Sequence, residues 1–305
     1  MRFTIYQDTR QGGRSNNEDR LAYSYSRDAL LLVIADGMGG HYYGEIAAQI
    51  AVQTLVDTFQ REAKQSLPDP FRFLQRAIIA SHQAILEYSA KHQLPDSPRT
   101  TIVACVIQDS IAYWAHAGDS RLYLARNGRV IAQTRDHSNV RRLIDDCTIS
   151  EAQAATHPDR NKIYSCLGSP QSPEIEFSRK TPLESGDMLI LCTDGVWSVI
   201  SGDTMALALK GANLMQSVPM MIKQAEQKGG PNGDNLSIIT LRWEESYTEE
   251  DHSAISTQAM LAGDVTTRLD EFGRNPAFKT DLSDDEIEKA IRDIRSAIDK
   301  YSNRK

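Results

Sequence analysis

Apolar positions recur with two periods along the first 243 residues. Runs at Arg2–Gln7, Ala29–Ala35, Thr101–Ile107, Ile111–Ala117, Arg121–Ala125, Met188–Cys192 and Leu236–Arg242 read as short strands. Several, LLLVIA and LSIITL among them, are apolar without alternation, which predicts strands covered on both faces. Helical spacing occurs at Glu45–Phe59, after Asp69-Pro70, at Asp203–Leu209 and at Met215–Gln227. Asp69 is an N-cap with proline at the first helical position, and Leu74, Ile78, Ser81 and Ile85 then share one face. Gly229-Gly230 stops the last helix. The order, strands then two helices, several strands, helices and a final strand, predicts sheets covered by helices instead of a regular βαβ alternation.

From residue 244 the pattern changes. Residues 244 to about 256 (EESYTEEDHSAIS) read as an acidic linker, and Ser283-Asp-Asp-Glu286 is a capping box opening a helix to about Tyr301. Ile287, Ile291, Ile294, Ile298 and Tyr301 form a seam of about two heptads. So short a seam predicts a terminal helix lying back on its own domain before it predicts an independent coiled coil. The expected organisation is thus a domain over 1–243 and a tail over 244–305, an acidic linker and an amphipathic helix.

Charge follows the same division. The whole chain carries net −7, of which −6 falls on residues 244–305, so the larger part is nearly neutral. No basic stripe is present to track a phosphate backbone, which excludes nucleic acid as an expected partner. No apolar run reaches the roughly 20 residues of a membrane span and no signal-peptide pattern follows Arg2, so the expectation is a cytoplasmic protein. The four cysteines form no C-x-x-C pair, and Cys105 and Cys192 sit inside apolar runs, where a thiol packs as a small hydrophobe.

Acidic residues mark the ends of the apolar runs: Asn17-Glu18-Asp19, Asp36-Gly37, Asp194-Gly195 and Asp234-Asn235. One Asp-Gly after a strand is an ordinary turn. Several carboxylates gathered in one cleft repel unless a hard cation neutralises them, and an all-oxygen donor set selects Mg²⁺ or Mn²⁺. Two such ions sharing a water suit in-line displacement at phosphorus without a nucleophilic side chain.

The stretches Arg14-Ser-Asn-Asn-Glu-Asp19, Asp36-Gly-Met-Gly-Gly-His41, His116-Ala-Gly-Asp-Ser-Arg121, Asp136-His137, Asn161 to Gly168, Leu191-Cys-Thr-Asp-Gly195 and Asp234-Asn235 occur in one order. In that series the chain resembles the metal-dependent serine/threonine protein phosphatases of the type 2C class, in their bacterial form, over residues 1–243. The resemblance implies a four-layer α/β/β/α sandwich, with two mainly antiparallel sheets flanked by helices and a metal cleft at one end. It implies two Mn²⁺ or Mg²⁺ ions: Asp36 bridging them, the Gly37 carbonyl on the first, Asp194 and Asp234 on the second. Asp119, with Asp194, resembles a weaker third site. Glu18 and Asp19 resemble residues that orient metal-bound water from outside the ligand ring. Arg14 resembles the arginine that grips the substrate phosphate, a role its two-pronged guanidinium suits. The implied substrates are phosphoserine and phosphothreonine proteins, the products of a serine/threonine kinase.

Departures accompany the resemblance. Met38 stands where some members have a histidine, leaving protonation of the leaving group without a clear owner, with His41 the nearest candidate and a structural role the simpler one for it. Arg99-Thr100-Thr101 replaces the usual Gly-Thr-Thr, Tyr164-Ser165-Cys166 replaces Thr-Arg-Ala beside a flap-like stretch from about Ser138 to Asn161, and Ser237 replaces a threonine. His116 and His137 read as structural, each satisfying a backbone group, and Trp114 and Trp197 as core aromatics. The competing readings are a pseudophosphatase that binds phosphoproteins without turnover and a scaffold acting through its tail.

Overall fold

The computed structural model describes residues 1–38, 43–154, 156–244, 255–257, 260 and 264–269. In chain order the elements are β1 (Arg2–Arg10), β2 (Arg20–Tyr25), β3 (Ala29–Ala35), α1 (Gly44–Glu62), α2 (Pro70–Lys91), β4 (Ile102–Gln108), β5 (Ile111–Ala117), β6 (Arg121–Arg126) and β7 (Arg129–Gln133). There follow α3 (Asn139–Asp145), α4 (Glu151–Ala154), β8 (Glu176–Phe177), β9 (Thr181–Pro182), β10 (Met188–Cys192), α5 (Asp194–Trp197), α6 (Gly202–Leu209), α7 (Leu214–Gly229), β11 (Leu236–Trp243), β12 (Ile255–Ser256) and β13 (Thr266–Leu269).

The unbroken apolar runs are explained by the layers. One sheet has the order β12-β1-β11-β10-β6-β7 and the other β13-β2-β3-β4-β5-β8, with every neighbouring pair antiparallel. Along β3, Leu30, Leu32 and Ile34 point between the sheets onto Leu124, Leu191 and Leu241, while Leu31 and Val33 point the other way onto α1 and α2. On β11, Ile239 and Leu241 enter the inter-sheet core while Ile238 faces α5–α7, against Val196, Met205 and Ile222. Three cores thus separate four layers, helices, sheet, sheet, helices, and each fully buried leucine contributes about 1.5–3 kcal/mol. Cys105 and Cys192 lie inside these cores as free thiols.

The helices follow their sequence signals. Asp69 caps α2 by accepting from Arg72 N at 3.1 Å, and Leu74, Ile78, Ser81 and Ile85 are all buried. Gly230, at φ +68°, ends α7 in the left-handed region. No helix among the described residues is long and apolar enough to cross a membrane.

Beyond residue 243 the sheets gain two strands that the sequence pattern does not announce. Glu244 is packed, accepting from Thr4 Oγ1 at 2.8 Å and from Arg242 Nε at 3.0 Å, and Ile255–Ser256, at the end of the expected linker, is strand β12 on the edge of β1. Thr257 bonds the chain start: its hydroxyl accepts from the Met1 amino group at 2.9 Å and donates to Arg27 O at 2.8 Å. β13 then pairs with β2 on the opposite sheet, where Thr267 and Ser24 hydroxyls meet at 2.7 Å. Residues 255–256 and 266–269 therefore bond edge strands of the two sheets. Met1–Asp270 is one compact unit; residues 271–305 form a second, and the expected helix at 283–301 lies outside the described residues.

Truncation after Trp243 is accordingly expected to lower the melting temperature relative to a chain ending at Asp270, by about 2–4 °C for each kcal/mol lost. Differential scanning calorimetry of the two chains checks this, and equal melting temperatures would show that the two added strands contribute nothing.

Candidate active site

The loops at one end of the sandwich enclose a cleft of about 290 Å³, and its lining includes Arg14, Glu18, Asp36, Gly37, Met38, Asp119, Asp194 and Asp234. These residues come from five separate strand ends. Asp36 and Gly37 follow β3, Asp119 lies in the turn between β5 and β6, Asp194 follows β10, Asp234 precedes β11, and Arg14 and Glu18 lie between β1 and β2. The antiparallel pairing of β2 with β3 and of β10 with β11 brings those ends together.

The Asp36 turn, Asp19 and the loop of Glu18 are held from behind. The Asp36 backbone is held by two threonines ahead of β4: its N–H donates to Thr101 Oγ1 (3.0 Å), and its carbonyl accepts from Thr100 Oγ1 (2.8 Å) and Thr101 N (2.9 Å). Asp19 is buried beneath the cleft, where Oδ2 accepts from Thr193 Oγ1 at 2.8 Å, and the same hydroxyl accepts from Ser237 N at 3.1 Å. Asn235 ties down the loop carrying Arg14 and Glu18, donating to Gln11 O (2.7 Å) and Asn16 O (2.8 Å) and accepting from Glu18 N (2.9 Å). These supporting roles were not read from the sequence, although Thr193 and Asn235 stand within motifs that were and Thr100-Thr101 within a stretch noted there.

Two glycines are fixed by close approach. A Cβ on Gly37 would stand 2.5 Å from the Gly44 carbonyl and 2.7 Å from Glu18 O, so only glycine lets α1 and the Glu18 loop close on this turn. Gly12 has φ +62°, and a Cβ there would meet Asp234 O at 2.1 Å.

The electrostatics of the cleft are those of crowded acids. Burial first, then Asp19, Asp194, Asp119 and Asp234, push the Asp36 carboxyl well above its ordinary range. Burial and Asp194 do the same to Asp119. Asp194 is pushed up to about 6 by burial and Asp234, and Asp19 and Glu18 to about 7, in both cases chiefly by burial. Among the described lining residues Arg14 alone is cationic; its Nη2 lies 2.6 Å from Asp234 Oδ2.

The chain matches the protein phosphatase 2C family over residues 7–232. The chain belongs to that family. The serine/threonine protein phosphatase PstP of Mycobacterium tuberculosis is 31% identical over 254 residues, 83% of this chain and 46% of that one, so the chain spans about half the length of this relative. A protein phosphatase 2C-type protein of Streptococcus pyogenes is 32% identical over 238 residues, 77% of this chain and 95% of that one. The catalytic domain of PstP solved with two manganese ions has 29% identity and a TM-score of 0.67, covering 80% of this chain and 99% of that one. The four-layer sandwich described above is the family's fold. The chain therefore carries a metal-dependent serine/threonine protein phosphatase domain with Mn²⁺ or Mg²⁺ as its cofactor.

The protein phosphatase 2C cleft fits such ions on its own geometry. Its lining carries the carboxylates of Glu18, Asp36, Asp119, Asp194 and Asp234, oxygen donors of the kind that hard divalent cations take. Glu18 Oε2 and Asp19 Oδ1 are buried without a protein partner, as expected of groups that would orient metal-bound water. Of the residues singled out in the sequence, Arg14, Glu18, Asp36, Gly37, Asp119, Asp194 and Asp234 line the cleft, and Asp19 lies buried behind it. Met38 lines it too, whereas His41 lies outside the described residues. Asn161, at the end of the flap-like stretch that contains α3 and α4, and Ile163 just beyond it add a wall. His116 and His137 stand outside the lining; His116 Nε2 donates to Arg135 O at 2.7 Å and His137 Nδ1 accepts from Gly118 N at 3.3 Å. Trp114 is buried in the inter-sheet core, and Trp197 lies under the Arg121 guanidinium, 3.6 Å from the ring centroid.

A pH dependence follows. A carboxyl whose folded pKa is raised costs stability when it ionises. The cost is absent below the unfolded value near 3.8 and complete above the folded value, about 6 for Asp194 and about 7 for Asp19. Metal-free protein should therefore lose stability as pH rises from about 4 to 7, and the gain in melting temperature on adding Mn²⁺ should grow over the same interval. Melting curves with chelator and with Mn²⁺ at several pH values check this; a Mn²⁺ gain that does not change with pH contradicts it.

Proposed function

We propose that this protein hydrolyses phosphoserine and phosphothreonine esters on other proteins, opposing a serine/threonine kinase. The observation that carries the reading is the convergence of Asp36, Asp119, Asp194 and Asp234 on one cleft with Arg14 at its wall. In this reading Asp36, with the Gly37 carbonyl, Asp194 and Asp234, would hold two divalent cations, and Asp119 with Asp194 would hold a weaker third. When bound, the ions supply a water acidic enough to attack phosphorus at neutral pH and neutralise charge on the phosphoryl oxygens.

The chain's own residues do the rest. Arg14 leaves Asp234 to grip two oxygens of the phosphate, and its charge persists at every working pH because the Asp234 carboxylate raises its pKa further. Glu18 and Asp19 orient water, with Asp19 aimed by the Thr193 hydroxyl. Thr100 and Thr101 hold the Asp36 turn rigid. In this proposal the phosphatase domain spans residues 1–243 together with strands β12 and β13, which extend the edges of its two sheets.

Release of inorganic phosphate from phosphothreonine and phosphoserine peptides in Mn²⁺ tests the reading. Peptide binding without phosphate release would favour the pseudophosphatase instead; the presence of Asp36, Asp119, Asp194 and Asp234 on one cleft supports turnover.

A further inference from the structure

A second cluster of metal-binding side chains lies apart from the carboxylate cleft, on β5, β8 and the turn before α3. His116 and Glu176 are directly paired across β5 and β8, and the His137 ring stacks on His116 with centroids 4.7 Å apart. One nitrogen from each histidine and one Glu176 oxygen all lie within 4.8 Å of one another, and His137 Nε2 is 3.5 Å from Glu176 Oε2. Both histidines are essentially buried, at 2% and 1% exposure, while the Glu176 side chain is 45% exposed and opens the cluster to solvent.

The hydrogen bonds set the tautomer of His116. Its Nε2 faces the Arg135 carbonyl, which can only accept, so Nε2 carries the ring proton and Nδ1 presents a lone pair. That Nδ1 is buried and has no partner, an expensive state for a polar atom with no role. A metal-binding histidine is characteristically oriented in this way, one nitrogen donating to a backbone carbonyl and the other free for the ion.

We propose that His116 Nδ1, His137 Nε2 and Glu176 form a binding site for a borderline divalent cation of the Zn²⁺ type, separate from the Mn²⁺ or Mg²⁺ cleft. Two imidazoles and a carboxylate are a donor set that zinc takes with a water as fourth ligand, and one that Mg²⁺ does not favour. Protons compete little for these nitrogens, because burial lowers the His116 imidazole and pushes that of His137 down to about 4. The Gly118 N–H contact to His137 Nδ1, at 3.3 Å, is long for a hydrogen bond. When a cation takes Nε2, the ring proton shifts to Nδ1, and the Gly118 amide gives way. Gly118 directly precedes Asp119 in the cleft lining, so occupancy of this second site bears on the turn that carries Asp119.

The test is Zn²⁺ binding to the full chain by equilibrium dialysis in excess Mn²⁺, which keeps the carboxylate cleft filled. Wild type, Glu176→Gln and His116→Ala are compared, each first checked for its melting temperature. Wild type should bind zinc at a site whose affinity falls at least about tenfold in Glu176→Gln and that His116→Ala abolishes. Glu176 is exposed and outside the cleft lining, so Glu176→Gln should keep its fold and its Mn²⁺-dependent activity, and it decides the matter if His116→Ala does not fold. Zinc binding of equal affinity in wild type and Glu176→Gln, or no zinc uptake in excess Mn²⁺, overturns the proposal whether or not the protein is an active phosphatase.

Discussion

Asp194→Ala and Asp234→Ala are each expected to lower kcat/KM in saturating Mn²⁺ by at least about a hundredfold while leaving the domain folded. The magnitude follows from the several kcal/mol of charge stabilisation that a bound divalent cation supplies, at 1.36 kcal/mol for each factor of ten. Folding should survive because neither carboxylate belongs to a core: Asp194 opens the short helix α5 and Asp234 precedes β11, both at the mouth of the sandwich. Asp194 also raises the pKa values of Asp36, Asp119 and Asp19, so its removal relieves repulsion and should raise the melting temperature of metal-free protein. Steady-state kinetics with Mn²⁺ titration and melting in chelator check both halves. Near-normal turnover in both variants would remove these residues from the metal site.

Arg14→Ala should raise KM and lower kcat/KM by about 10–100-fold, the loss of charged hydrogen bonds worth about 1.5–3 kcal/mol. Lysine should rescue only part of this, since a point charge lacks the fork. The structure sharpens the expectation about metal. Arg14 is bonded to Asp234 at 2.6 Å and half exposed, so its loss frees the carboxylate and should not weaken Mn²⁺ binding. Weaker Mn²⁺ binding with unchanged KM would place Arg14 in the metal centre and not at the substrate.

Much of the fold was legible because burial on both faces writes itself as unbroken apolar runs. β3, β5, β10 and β11 fall within a residue of their expected bounds, α2 starts at its expected Asp69 cap, and α1, α6 and α7 cover the expected helical spans. β2 was not read: RLAYSY mixes polar and aromatic residues, and its strand state is set by pairing with β3 and β13. β12 and β13 are shorter still and polar, so their place comes from the edges they bond. Tertiary pairing overrides local pattern in each case.

The cleft was legible as carboxylates at strand ends, and its supports were not. Thr101 reaches Asp36 across 65 residues, Thr193 reaches Asp19 across 174, and Asn235 reaches Glu18 across 217. A lone threonine carries no pattern that names a partner so distant. The same holds for His116 and Glu176, which become neighbours only through the pairing of β5 with β8. Reading each histidine as satisfying a backbone group was correct for His116 Nε2 and His137 Nδ1, and left His116 Nδ1 unassigned.

The central claim, that the crowded carboxylates of this cleft serve divalent cations in phosphate ester hydrolysis, is tested most directly by metal removal and return. Full-length protein is stripped with chelator, assayed on a phosphothreonine peptide, and assayed again after Mn²⁺ is added in excess. No phosphate release in chelator and full recovery with Mn²⁺ is the predicted result. Undiminished hydrolysis in chelator, or none with any divalent metal, would contradict it.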